Sequence, residues 1–195
     1  MAVVKTEVRN QIVSTASQIF SRFGFKKTTM DEIAQAMRKG KSSIYYYFTS
    51  KEEIFEAVVE HEAGLLRSEI KRALENSGIP QDKLRSYVLT RMKGFQKLSN
   101  IHEALKSDYL LNLDFIHRMR EKYDNEEIAL VKDILQSGVN KGVFRVENCH
   151  IAAIAIITAM KGLEKPLLWS KETTDLEFQL DNVLNVLLYG IVKHS

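Results

Sequence analysis

Apolar side chains at Ile12, Ala16, Ile19, Phe20 and Phe23 recur at steps of three and four, the spacing that gathers them on one stripe of an α-helix. The pattern predicts a first helix from about Thr6, ended by Gly24. Thr28 or Thr29 then caps a short second helix with Met30, Ile33, Ala34 and Met37 as its inward face. Asp31 and Glu32 sit in its first turn, where the helix dipole favours acids. After the turn Arg38-Lys39-Gly40, a third short helix spans Lys41 to Phe48, and Thr49 or Ser50 caps a fourth. That helix carries Ile54, Phe55, Val58, Val59, Leu65, Leu66 and Ile70 and runs to the break at Asn76-Ser77-Gly78-Ile79-Pro80.

Leu84, Val88, Met92, Phe95 and Leu98 mark a fifth helix, and residues 101–113 are apolar enough for one or two shorter ones. A charged helix from about Asp114 to Asn140 is expected to break near Asp124-Asn125 and to exit at Gly142. The last two helices differ in kind. Ile151 to Met160 is apolar almost all round and must be covered on more than one side. Ala152, Ala155, Ala159 and Gly162 form an edge of small residues along which another helix can approach. Leu176, Leu180, Val183, Leu184, Leu187 and Ile191 make a stripe on the final helix. Two copies of this hairpin, about residues 149–193, are therefore expected to pair as a four-helix homodimer interface, the alternative being a core internal to one chain.

Only two prolines and nine glycines interrupt stretches rich in Glu, Lys, Leu, Ala and Ile, so the expected fold class is all-α. No uncharged apolar run of about 18 residues and no signal pattern occur, which argues against membrane insertion and export and for the cytoplasm. The single cysteine, Cys149, has no disulfide or zinc partner and is expected to be a small buried apolar residue.

Charge changes the picture more than composition does. Lys5, Arg9, Arg22, Lys26, Lys27, Arg38, Lys39, Lys41 and Lys51 face only Glu7, Asp31 and Glu32, so residues 1–51 carry +6 in a chain of net +3. A basic head on a slightly acidic body suits a polyanion: duplex DNA, or a membrane surface.

Stepping 100° per residue along the third helix puts Ile44 and Phe48 on a buried side. The opposite side then holds Ser42, Ser43 and Tyr46, hydrogen-bonding groups able to face base edges. Tyr45 and Tyr47 flank them where phosphates would run, and Lys41 can turn outward from the helix start. Lys51 and the groups around Thr29, each at the start of a helix, are further backbone anchors. Three successive tyrosines on a surface helix mark an interaction site better than they mark a solvated face.

Gly24-Phe25, Thr29, Ile33-Ala34, Ile44-Tyr45, Tyr47-Phe48, Lys51-Glu52 and Ile54-Phe55 resemble, in residue type and spacing, the N-terminal signature of the TetR family of bacterial transcription regulators. The match covers about residues 10 to 56. It departs at the turn, where Met37-Arg38-Lys39-Gly40 replaces the usual alanine-glycine-valine-serine, and at Ser42, where glycine is frequent. An arginine in the left-handed conformation costs about 1 kcal/mol, so Gly40 is expected to take the positive φ. The resemblance implies a helix-turn-helix DNA-binding domain at 1–51 and a helical effector-binding and dimerisation domain at 52–195. It also implies a homodimer on a palindromic operator in double-stranded DNA. A small apolar effector in the body would lower DNA affinity, with the fourth helix as lever.

Met92, Phe95, Tyr109, Leu113, Phe115, Met119 and Trp169 are candidates to line the effector pocket, though such residues are also ordinary core, and Pro166 can bend the penultimate helix to open space. Two other classes compete. Asp114/His117 and Glu147/His150 have the i, i+3 spacing of a carboxylate-bridged metal site in a helical-bundle enzyme. No phosphate-binding glycine loop or nucleophile with an evident base accompanies them, so neither catalysis nor a cofactor is expected. A DNA-binding architectural protein without an effector is the other alternative.

Overall fold

The computed structural model describes residues 2–98, 100, 114–168 and 176–189. Among these there are eight helices and no strand. They are α1 (Ala2–Phe23), α2 (Met30–Ala36), α3 (Lys41–Tyr45), α4 (Lys51–Glu75), α5 (Pro80–Lys97), α6 (Asp114–Asn140), α7 (Cys149–Leu168) and α8 (Leu176–Tyr189). Local chemistry sets their ends. Gly24 stops α1 with φ +80°, a conformation that costs glycine nothing sterically. Ser50 Oγ accepts the Glu53 amide at the start of α4, and Asn148 Oδ1 accepts the amides of His150 and Ile151 at the start of α7. Each bond satisfies a donor that the helix itself leaves unpaired. Pro80 occupies the first position of α5, where its missing N–H is no loss.

The chain divides into two compact units, residues 1–65 with 98–119, and residues 66–97 with 120–195. In the first, Ile12, Ala16, Phe20, Phe25, Ile33, Ile44, Phe48, Ile54 and Phe55 are buried. Phe55 packs against Phe20 and Phe25 at 5.3 and 4.8 Å between ring centroids, a geometry that aromatic quadrupoles favour. Phe23 and Leu65, apolar positions of the α1 and α4 stripes, point to solvent instead. Arg22 covers the Phe23 ring at 5.0 Å.

In the second unit α5 packs on α7 and α8, burying Leu84, Val88, Ala153, Ile157, Leu180 and Leu184. Arg85 bonds Asp181 and Glu177 across the α5–α8 seam, and Lys93 bonds Glu177. These pairs are about half exposed, so they register the helices more than they stabilise them. The expected break in α6 is absent. It runs unbroken from Asp114 to Asn140 because packing overrides the weak helix preference of Asp124-Asn125, and Lys161 of α7 bonds Asp124. Cys149 is buried and unpaired.

Gly138 near the end of α6 lets the chain fold back on itself. Its carbonyl accepts the amides of Val143 and Phe144, and a methyl group there would overlap the Phe144 ring. Gly138→Ala is expected to lower stability by roughly 1–3 kcal/mol through overpacking, measured by denaturant unfolding; an unchanged midpoint would show that the ring moves aside freely.

Candidate nucleic-acid interface

The structure builds the head's surface from the α2–α3 corner outward. Thr29 caps α2 with the side chain of Glu32: the Glu32 amide donates to Thr29 Oγ1, and the Thr29 amide and hydroxyl both donate to Glu32 Oε2. A capping box of this kind is worth about 1 kcal/mol. It also means that the Thr29 N–H and O–H are already engaged inside the head.

The turn closes differently from the sequence expectation. Arg38, not Gly40, takes the left-handed conformation, with φ 54°, while Gly40 is extended at φ −68° and ψ 148° as the N-cap of α3. Two hydrogen bonds explain why. The Arg38 amide donates to the Gln35 carbonyl and the Lys39 amide to the Ala34 carbonyl, at 2.9 and 3.0 Å. This paired closure fixes the positive φ at the residue just after the helix cap, which is position 38. Glycine two residues later is too late to supply it.

The helix beyond the turn ends earlier than expected, at Tyr45, and continues as a turn through Tyr47. Ile44 and Phe48 are fully buried as its helical angle requires. Ser42, Tyr45 and Tyr46 are exposed, Tyr46 by 68%, and Ser43 and Tyr47 are half-buried. Tyr46 and Tyr47 meet edge to face at 5.0 Å. Lys41 reaches Asp31 of α2 at 2.8 Å, and the bond to that carboxylate holds its pKa above the ordinary lysine value. It remains well exposed beside the Tyr45 ring. Arg38 and Lys39 are exposed in the turn.

Lys51 is placed otherwise than an outward anchor would be. Its ammonium donates to the Phe25 and Thr28 carbonyls at 2.8 and 2.9 Å and lies 4.2 Å from the Phe25 ring centroid. It ties the start of α4 to the α1–α2 corner. α1 begins at Ala2, ahead of the expected Thr6, and its first turns carry two more cations. Lys5 lies 5.0 Å from the Tyr46 ring centroid and Arg9 4.8 Å from that of Phe48. Their i, i+4 spacing ahead of Ile12 was the available signal.

Of the pocket candidates, Met92 is buried and Phe95 half-buried in the second unit. Phe115 packs on Phe55 in the first, which also holds Met119. Tyr109, Leu113 and Trp169 lie outside the described residues. Pro166 falls within α7. Asp114/His117 and Glu147/His150 gather no third ligand among the described residues.

A buried-backed short helix, entered by a tight cationic turn and showing hydroxyl groups, defines a helix-turn-helix DNA-binding protein. Residues 12–58 match the family profile of bacterial regulatory proteins of the tetR family, and residues 80–193 match the QacR-like protein C-terminal region. The HTH-type transcriptional repressor NicS of Pseudomonas putida is 28% identical over 162 residues, which cover 78% of this chain and 73% of NicS. The crystal structure of a transcriptional regulator from Cytophaga hutchinsonii superposes with a TM-score of 0.79 at 29% identity, over 92% of this chain and 96% of that one. FadR of Bacillus subtilis, solved in complex with stearoyl-CoA, shares the fold with a TM-score of 0.73 at 18% identity, over 93% and 98%. This chain belongs to the TetR family, and is a DNA-binding transcriptional regulator.

Proposed function

We propose that the protein is a ligand-responsive repressor that binds an inverted-repeat operator as a homodimer. The observation that carries the reading is the exposed Ser42–Tyr46 face of α3, held by buried Ile44 and Phe48 beside Arg38, Lys39 and Lys41. In this reading residues 1–51 are the DNA-binding head and residues 52–195 hold the effector and dimerise. Ser42, Ser43 and Tyr46 read base edges, Tyr45, Tyr47 and Lys41 contact phosphates, Lys5 and Arg9 add positive charge, and Thr29, its donors taken up by Glu32, holds the start of α2 in place. Lys51 holds the head in shape. The relatives' role as repressors supports repression, the stearoyl-CoA held by FadR supports an effector with an apolar portion, and α4, which runs through both units, is the lever. No described helix is long and apolar enough to cross a membrane.

Dimerisation draws support from α7 and α8. Ile151, Ile154, Phe178 and Val186 are exposed in the single chain, as are Ala155 and Gly162 of the small-residue edge. The leucine stripe divides: Leu180 and Leu184 are core of their own chain, and the outward face one step round the helix is the one free to pair. Selection of bound duplex from a random pool is expected to return two half-sites about one helical turn, or a multiple of it, apart. Ile151→Glu with Ile154→Glu is expected to leave a monomer by sedimentation and to abolish the two-half-site preference. A single unrepeated site, or a dimer that survives the double substitution, would count against the reading.

A further inference from the structure

Tyr87 and Arg91 stand one turn apart on α5 and are almost wholly buried, at 0% and 2% exposure. From α6, Glu127 accepts a 2.8 Å hydrogen bond from Arg91 Nε. Among the described residues the Tyr87 hydroxyl has no partner at hydrogen-bond distance. Buried donors are nearly always paired, because one taken from water and left without an acceptor is costly, so an orphaned phenol requires an explanation. Burial first, then the Glu127 carboxylate, push its pKa far above the usual tyrosine value, which keeps it a proton donor. Beside it, Arg91 Nη1 points at the Met92 thioether, 3.8 Å away. Sulfur is a weak acceptor, and the methionine side chain is flexible enough to yield to a stronger one. The adjoining positions Val88, Met92 and, one turn beyond Glu127, Val131 are apolar and buried.

We propose that Tyr87 and Arg91 form the polar end of the effector site, and that the effector is an apolar molecule bearing an uncharged acceptor oxygen, as in a ketone, ester or thioester. The proposal rests on the ligand-responsive reading above. Charge decides between a neutral carbonyl and a carboxylate. Glu127 already balances Arg91, with side chains only 18% and 3% exposed, so a second carboxylate would leave an uncompensated negative charge in a poorly solvated place. A neutral carbonyl accepts from Tyr87 without adding charge.

The test uses the full chain and thermal shift. The probes are methyl ketones on a linear alkyl chain, on naphthalene and on a sterol-sized tetracycle, each with its carboxylic acid and parent hydrocarbon. At least one ketone is expected to raise the melting temperature of the wild type above its matched acid and hydrocarbon. Tyr87→Phe is expected to weaken that ketone about tenfold, and Glu127→Gln to reverse the preference towards the acid. The untreated Tyr87→Phe protein should melt no lower than wild type, since it loses an unpaired hydroxyl. A lower melting point, no response to any ketone, a ketone affinity unchanged in Tyr87→Phe, or a wild type that prefers the acid would each overturn the site. The ketone that binds is then added to wild-type protein on its selected operator. Release of DNA supports the effector role, whereas undisturbed DNA binding overturns that role and leaves the binding site standing.

Discussion

Replacing Arg38 with Gly and Lys39 with Ala is expected to flatten the salt dependence of operator binding while leaving the protein at least as stable as before. Each phosphate contact contributes about −0.9 to the slope of log K against log salt, so losing two cations makes the slope shallower by about 1.8 per head and about 3.6 for two heads. At 0.1 M salt the same relation, referred to 1 M, corresponds to roughly 60-fold weaker binding per head. Stability moves the other way. Arg38 sits at φ 54°, and a side chain in that region carries about 1 kcal/mol of strain that glycine does not. Wild type therefore holds a charge at a position where glycine would fold more easily, as expected of strain kept at a functional site. Titrations of labelled operator at several salt concentrations, with urea unfolding alongside, separate the two effects. An unchanged slope would remove Arg38 and Lys39 from the interface.

Lys51→Met should behave oppositely. It leaves the Phe25 and Thr28 carbonyls without their cationic donor, and two charge-assisted bonds in a half-buried setting are worth about 3 kcal/mol together. The expected result is a marked fall in stability by denaturant unfolding, with binding lost because the head no longer holds its shape. At low temperature, where enough protein is folded, the salt slope should match that of wild type. Retained stability with a slope shallower by about 0.9 per head would instead make Lys51 a phosphate contact.

Much of the head is legible in the sequence because it depends on short-range rules. The burial of Ile44 and Phe48 follows from a four-residue step and the end of α1 from Gly24, while the cap of α2 is legible only as one of two adjacent threonines, of which the structure uses Thr29. The turn differs from expectation for an equally local reason: glycine is permissive of positive φ but does not create the need for it. The need arose at Arg38, where the last turn of α2 closed its hydrogen bonds.

The sequence by itself determined an all-helical chain, a basic head and the identity of the helix that shows its hydroxyls, since periodicity, capping and charge are properties of neighbouring residues. Only tertiary structure decided that the Lys51 ammonium turns inward to two carbonyls, that Leu180 and Leu184 belong to their own chain's core, and that Tyr87 is buried with no acceptor at hydrogen-bond distance among the described residues. Each depends on which groups from distant parts of the chain meet, and spacing along one helix carries no information about the surface packed against it.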